Sequence, residues 1–148
     1  MNIQFTVPGK PVGKGRPRFS TRGGFVKTYT PEKTASFENL VKLAFQQAAP
    51  AGFVPFGKDT ALEMVITARF TPPESASKKK REAMLLGDIR PTGRPDLDTC
   101  CKLIADSLHD ICYANDACIV RMIAEKRYSQ VAETVVEVRE IEGANSPK

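Results

Sequence analysis

Three acidic side chains and one lysine could carry out chemistry together, namely Asp96, Asp98, Asp116 and Lys102. Carboxylate oxygens are typical ligands of Mg²⁺ in proteins, and the bound ion can activate water and neutralise charge on a reacting phosphate. A nearby ammonium can stabilise the same developing charge. Because Lys102 follows Asp98 by four residues, about one helical turn, it would stay within reach of the metal. These residues could therefore hold a divalent cation against a phosphodiester.

Each part of this set also has an ordinary structural explanation. Asp96 and Asp98 could cap a helix, because the helix dipole favours negative charge at that end. Asp98 and Lys102 could form an exposed ion pair worth only about 0.3–0.5 kcal/mol. Asn115-Asp116 is a common turn dipeptide. On residue types and spacing alone, the metal site and these structural alternatives remain open.

The acids and the lysine would be positioned by a helix predicted from about Asp96 to Asp110. Its apolar residues share one face that must be core, namely Leu97, Cys100, Cys101, Ile104, Ala105, Leu108 and Ile111. Asp98, Lys102 and Asp106 follow one another at intervals of four, so they stack on a different face. If Asp96 is still extended at the helix entry, its carboxylate and that of Asp98 can point into a common space.

The remaining pattern predicts an α+β domain, with helices packed on a mixed β-sheet. Alternating apolar residues predict strands at 3–7, 62–70, 118–128 and 132–141, with a short strand at 25–29. Two further helices are expected, one capped by Thr30-Pro31 and ending near Ala49, the other at 75–86. A tight turn around Ser129-Gln130 should join the last two strands. We expect one domain over residues 1–148, with a disordered tail at 143–148.

Composition excludes some classes of protein. The chain has 148 residues, of which 41% are hydrophobic, and it contains no apolar run of the roughly 20 residues that span a bilayer. No signal peptide precedes the first predicted strand, so we expect a cytoplasmic protein without a membrane partner. The four cysteines include no CxxC pair, which favours reduced, buried thiols over a zinc site.

Basic residues are concentrated in the first part of the chain, whose net charge overall is +5. No acid precedes Glu32, and the Gly/Pro-rich loop predicted at about 8–24 carries most of the early cations. We expect four of them to contact phosphates: Lys10, Lys14, Arg16 and Arg18. A second basic run, 78–81, is either an exposed helix face or a DNA contact. Phe19 could either wedge into a DNA branch or pack on the core.

Several sequence runs resemble the RusA family of Holliday-junction resolvases. They are RPDLDTCCK at 94–102, DSL at 106–108, YAND at 113–116, and VPGKP at 7–11 with KGRPRF at 14–19. The resemblance covers nearly the whole chain, and its most specific part lies in a catalytic segment of about residues 94–120. It adds information that no single motif carries.

The resemblance implies a homodimeric, Mg²⁺-dependent endonuclease, with Mn²⁺ as an alternative ion, of a kind often encoded by prophages. Such an enzyme nicks two strands symmetrically at a four-way DNA junction during recombination and repair. Carried over by position, Asp96, Asp98 and Asp116 would be the metal-binding carboxylates and Lys102 the catalytic lysine. Lys126 falls where family members tend to carry a lysine, and we count it among the expected DNA contacts.

Two positions depart from the family pattern. Thr99 stands where asparagine is usual, and Asn115 stands where the first of two aspartates is usual. Because Thr99 can still donate a hydrogen bond, support for the site should be altered rather than removed. Two other functions remain alternatives: a non-catalytic protein that binds branched DNA, and a nuclease that acts on flaps or forks. A two-fold dimer would match the symmetry of a four-way junction.

Overall fold

The computed structural model describes residues 1–15, 18–20, 27–29 and 32–142, with only the backbone described at 18–20 and 27–29. The strands are β1 (Asn2–Pro8), β2 (Arg18–Ser20), β3 (Lys27–Tyr29), β4 (Leu62–Phe70), β5 (Ile119–Tyr128) and β6 (Glu133–Glu140). The α-helices are α1 (Glu32–Ala48), α2 (Lys78–Leu86) and α3 (Leu97–Ser107), and a single 3₁₀ turn covers Asp116–Cys118.

Four strands form a mixed sheet in the order β1-β6-β4-β5. β6 runs antiparallel to both of its neighbours, whereas β4 and β5 are parallel. β2 and β3 pair with each other in a separate two-stranded sheet. The predicted α+β class with a mixed sheet and packed helices is confirmed, and the chain forms a single domain. The homodimer stays a prediction.

The core lies between one face of this sheet and the helices α1 and α3. Alternate residues of β4 are completely buried on that face, namely Leu62, Met64, Ile66 and Ala68. α1 contributes Phe37, Val41 and Phe45, and the ring of Phe45 packs edge-to-face on Phe5 of β1. The strict alternation in β4 is what half-burial requires, since successive side chains of a strand point to opposite faces.

Charged side chains cover the opposite face of the sheet. Glu63, only 6% exposed, accepts hydrogen bonds from Arg121 at 2.9 Å and from Arg139 at 3.1 Å. The hydrogen bond from Arg121 is the main reason why the pKa of Glu63 lies below its ordinary value of 4.5. Arg69 and Glu133 form a further ion pair between adjacent strands, at 3.1 Å. These contacts tie β4 to both of its neighbours.

Several predicted boundaries need correction. The helix expected to reach Asp110 ends at Ser107, and Asp110 has a positive φ of 64°, which cannot continue a right-handed helix. The helix expected from residue 75 begins at Lys78, because the hydroxyl of Ser77 caps it by accepting from the backbone N–H of Lys80. β2 lies within the region predicted to be a loop.

The last two strands are consecutive in the chain but are not neighbours. β4 lies between β5 and β6, so the connection at 129–132 crosses over β4 instead of closing a hairpin. Three other predictions concern residues outside the described ones: the Thr30-Pro31 helix start, the strand positions Phe25 and Val26, and the tail at 143–148.

All four cysteines are buried and unpaired, as the sequence predicted. Burial raises the pKa of the Cys112 thiol to about 12 and that of Cys100 to about 11, so both remain protonated at neutral pH. In the described ranges, no helix combines the length and the apolar character that a membrane crossing would need.

Replacing Glu63 with glutamine should lower the urea midpoint of unfolding at pH 7. A carboxylate whose pKa is lowered by folding contributes stability above its unfolded pKa and loses it as pH falls through the folded value. The difference between the two proteins should therefore be largest at neutral pH and shrink below pH 4.5. Urea titrations from pH 3 to pH 7 measure it, with exposed Glu74→Gln as the control. A difference that does not change with pH would contradict this role of the Glu63 charge.

Candidate active site

A cavity of about 700 Å³ lies between α3 and β5. It is lined by Leu97, Asp98, Cys101, Lys102, Ala105, Asp106, Asp116, Met122 and Ala124. Most of these residues belong to one side of α3, while Cys100, Leu103, Ile104 and Ser107 of the same helix are buried away from the cavity. Met122 and Ala124 come from the face of β5 that points toward the helices. The polar groups of the cavity are three carboxylates and one ammonium, and its apolar wall is formed by α3 and β5 together.

The sequence correctly placed Asp98, Lys102 and Asp106 on one face of α3, and this face points into the cavity. Among its described residues, the structure does not contain the alternative ion pair between Asp98 and Lys102. Instead, the Lys102 ammonium contacts Oδ2 of Asp106 at 3.4 Å. Asp98 remains exposed in the first turn of α3.

The turn between α3 and β5 brings Asp116 to the same cavity. The buried Tyr113 donates its hydroxyl hydrogen bond to the carbonyl of Ala105, at 2.6 Å, and so ties this turn to α3. Asn115 then caps the 3₁₀ turn by accepting from the backbone N–H of Ala117, at 2.9 Å. Asparagine can fill this capping position as well as aspartate can, which explains why the departure at residue 115 leaves the turn intact.

Asp96 occupies the N-cap position of α3 without using its side chain as a cap. Its backbone is extended, with φ −69° and ψ 145°, the conformation expected for a carboxylate that shares a space with that of Asp98. Its carboxylate makes no capping hydrogen bond, so the simple capping explanation does not hold for this residue. The Thr99 hydroxyl instead donates to the carbonyl of Asp96, at 2.8 Å. Asp96 lies at the entry of α3 and outside the cavity wall.

The donor set of the cavity is suited to a hard divalent cation. Asp98 and Asp116 offer carboxylate oxygens, and Mg²⁺ is commonly held by one or two carboxylates together with waters and substrate phosphates. Within the described ranges, no group of three or more His, Cys, Asp or Glu side chains is arranged to hold a metal ion. An ion held by the Asp98 and Asp116 carboxylates would have to complete its coordination with water and phosphate. Asp96 as a third ligand stays a prediction.

The N-terminal segment 9–15 crosses the start of α3 in close contact. The backbone N–H of Lys14 donates to the carbonyl of Thr99 at 2.8 Å, and that of Gly15 donates to the hydroxyl of Thr34 at 3.1 Å. A Cβ atom added at Gly13 would collide with Oγ1 of Thr99. Thr99 therefore contacts both Asp96 and the crossing segment.

The basic residues predicted to bind DNA have different surroundings. Lys10 is exposed. The Lys14 side chain is only 25% exposed, and its ammonium contacts the carboxylates of Glu38, at 3.3 Å, and Asp106, at 3.5 Å. Arg16 and the side chain of Arg18 lie outside the described residues.

Lys126 lies on β5 and holds the loop that precedes Asp96. Its ammonium donates to the backbone carbonyls of Gly93, at 2.5 Å, and Pro95, at 2.9 Å, and it lies 5.7 Å from the centre of the Phe70 ring. Sequence reasoning missed this role, since no local pattern links Lys126 to a loop thirty residues earlier. Its predicted contact with DNA stays a prediction.

Two other supporting residues were also missed. Glu38 is part of the helical pattern of α1, and nothing in its sequence neighbourhood points to Lys14. Asp106 was assigned to the correct face of α3 but given no role. The interval of four residues from Lys102 was the available signal for Asp106.

Replacing Gly13 with alanine should destabilise the fold by about 1–3 kcal/mol, the usual cost of overpacking. The added methyl group would push the N-terminal segment away from Thr99 and strain the contact between Lys14 and α3. Urea unfolding measures the change. Gly57→Ala is the matched control, because a Cβ atom there meets open space. Equal stabilities of the two variants would show that the crossing is loosely packed.

Comparison with known proteins shows the family to which the chain belongs. Residues 8–139 match the family model described as Endodeoxyribonuclease RusA. The chain is also 34% identical over 139 residues to the Uncharacterized protein YqaN of Bacillus subtilis (strain 168), an alignment that covers 94% of this chain and 96% of that protein. The matched range includes the N-terminal crossing, α3 and the turn that carries Asp116. The protein belongs to the RusA endodeoxyribonuclease family and is accordingly a nuclease.

Proposed function

We propose that the protein is a Mg²⁺-dependent, structure-specific DNA endonuclease that resolves four-way junctions by paired, symmetric nicks. One observation carries the proposal: in a chain of the RusA family, three carboxylates and the Lys102 ammonium line a single cavity beside the basic N-terminal segment. A divalent cation and a phosphodiester are the partners that this combination of groups would bind.

Each polar group has a role that follows from its chemistry. Asp98 and Asp116 would hold the ion, with Asp96 as a third ligand from the entry of α3. When bound, the ion supplies an activated water and neutralises charge on the phosphate. The Lys102 side chain is 66% exposed, so its ammonium could approach a phosphate and stabilise the charge that develops on it.

DNA binding would rest on exposed cations and on the basic N-terminal segment, in which no acid precedes Glu32. Lys10 and the arginines Arg16 and Arg18 belong to this basic segment, and α2 presents a second run at 78–81. Contacts of this kind go to phosphates and fix the position of the duplex without reading its sequence. A two-fold dimer would place two such sites at the symmetry-related strands of a junction, which accounts for paired nicks.

Cleavage of an immobile four-way junction tests the proposal. Purified protein with Mg²⁺ should give paired symmetric nicks on the junction, and chelator should abolish them. Asp98→Asn should reduce cleavage by about 10³-fold or more while junction binding survives, since a lost transition-state interaction of several kcal/mol lowers the rate by that order. Asp88→Asn, at an exposed acid just after α2, is the control with the same chemical change.

The other outcomes identify the rival functions. Tight binding without any Mg²⁺-dependent product would leave a DNA-binding protein and remove the catalytic assignment. Cleavage of a flap or a fork in preference to the junction would identify a nuclease of different specificity. Full activity of Asp98→Asn would show that the cavity between α3 and β5 is not the site of hydrolysis.

Lys126→Met separates two roles of this lysine. If the ammonium acts on the loop carbonyls, the variant should be less stable in urea, yet its junction binding should keep the salt dependence of the natural protein. If it contacts a phosphate, the slope of log K against log salt should fall by about one. Lys10→Met is the comparison: if the exposed Lys10 contacts a phosphate, junction binding by this variant should show the smaller slope of log K against log salt.

A further inference from the structure

Two lysines share one carboxylate at the rear of the cavity. Oδ2 of Asp106 lies 3.4 Å from the ammonium of Lys102 and 3.5 Å from that of Lys14. The Lys14 ammonium also contacts Oε1 of Glu38, at 3.3 Å. The four side chains thus form a continuous row of alternating charges, Glu38–Lys14–Asp106–Lys102, which we call the charge row.

The inner members of the charge row are held from three different elements. Glu38 belongs to α1, Asp106 to α3, and Lys14 to the crossing segment, whose backbone is bonded to α3 through Thr99. The side chains of Glu38, Lys14 and Asp106 are 17%, 25% and 26% exposed, respectively. Lys102, at the end of the row, is 66% exposed and is the member that reaches the cavity. Confinement of the side chains therefore increases from Lys102 inward.

Helix geometry alone would not fix Lys102. A lysine placed four residues before an aspartate has the less favourable orientation of an i,i+4 pair, and an exposed pair of this kind stabilises a helix only weakly. A free lysine side chain also loses rotamer entropy when it is held in place. Lys14 changes this balance, because it contacts the same carboxylate from a different element and offsets part of the cost of the partial burial of Asp106.

We propose that Asp106 and Lys14 are positioning residues that place the Lys102 ammonium for its role in phosphodiester cleavage, with Glu38 anchoring Lys14. The proposal rests on the function proposed above for the cavity. It assigns Lys14 to the interior of the site rather than to a DNA phosphate. In this proposal Asp106 binds the two lysines and is not a metal ligand, because both ammonium groups already contact the same carboxylate oxygen.

A double-mutant cycle on cleavage tests whether Asp106 acts through Lys102. Asp106→Asn should lower the single-turnover rate on the order of tenfold, the scale seen when a residue that orients a functional group is lost. In a Lys102→Met background the same change should have no further effect. An equal loss in both backgrounds, or cleavage by Asp106→Asn at the full rate, would overturn the proposal.

A second measurement does not depend on nuclease activity. Competitive acetylation followed by mass spectrometry reports how readily each lysine amine reacts. Removing the carboxylate partner in Asp106→Asn should make Lys102 react several-fold faster, while Lys80, on α2, should react at its original rate. Unchanged labelling of Lys102 would overturn the proposal even if the protein proved to be inactive as a junction nuclease.

Lys14→Met tests the inner part of the charge row with junction binding as the readout. The variant should cleave about tenfold more slowly, but its junction affinity and the salt dependence of binding should match those of Lys58→Met, which removes one exposed charge. A smaller salt slope for Lys14→Met alone would place Lys14 on a phosphate and overturn its assignment. Urea unfolding of both variants shows whether a lower rate reflects a lower folded fraction.

Discussion

The buried side of α3 is the constraint on which the site depends. Six of its eleven residues are buried against the sheet and α1, among them Cys100, Leu103 and Ile104. This burial fixes the rotation of the helix about its axis. Asp98, Lys102 and Asp106, which follow one another at intervals of four, must then point toward the helix-facing residues of β5. The cavity is thus a consequence of core packing, and any change that rotates α3 would move the carboxylates and the lysine together.

Several basic side chains of this protein stabilise its fold in addition to contributing positive charge. Lys126 holds the loop before Asp96, Lys14 lies between two carboxylates, and Arg121 and Arg139 flank the buried Glu63. A net charge of +5 therefore gives a poor measure of how many cations remain for DNA. The useful quantity is the number of basic side chains without an intramolecular carboxylate or carbonyl partner, and that number depends on tertiary contacts.

How much the sequence could predict depends on the range of each interaction. The β4 bounds and the polar face of α3 were predicted correctly, because both depend on local periodicity that burial of one face imposes. The order of β5 and β6 was not predicted, since a strand's neighbours depend on contacts distant in sequence. The same limit hid the contact of Lys14 with both Asp106 and Glu38, because the three side chains belong to different elements. Three of the four proposed catalytic side chains, those of Asp98, Lys102 and Asp116, do line one cavity, whereas Asp96 stands at its entry.

The charges around the cavity give a physical reason why metal and DNA binding should be coupled. In the charge row, two lysines and two carboxylates cancel, which leaves the charges of Asp98 and Asp116 unbalanced at the cavity. Two negative charges near a phosphodiester would repel it, and at about 4 Å this repulsion is not negligible even in a well-solvated site. Under the proposed function, a divalent cation would cancel that charge and add an attraction to the phosphate oxygens. Since only two carboxylates of the cavity would be available to it, the ion would in turn gain ligands from the phosphate. Each partner would then improve the binding of the other, and by linkage the factor by which metal raises the affinity for DNA would equal the factor by which DNA raises the affinity for metal.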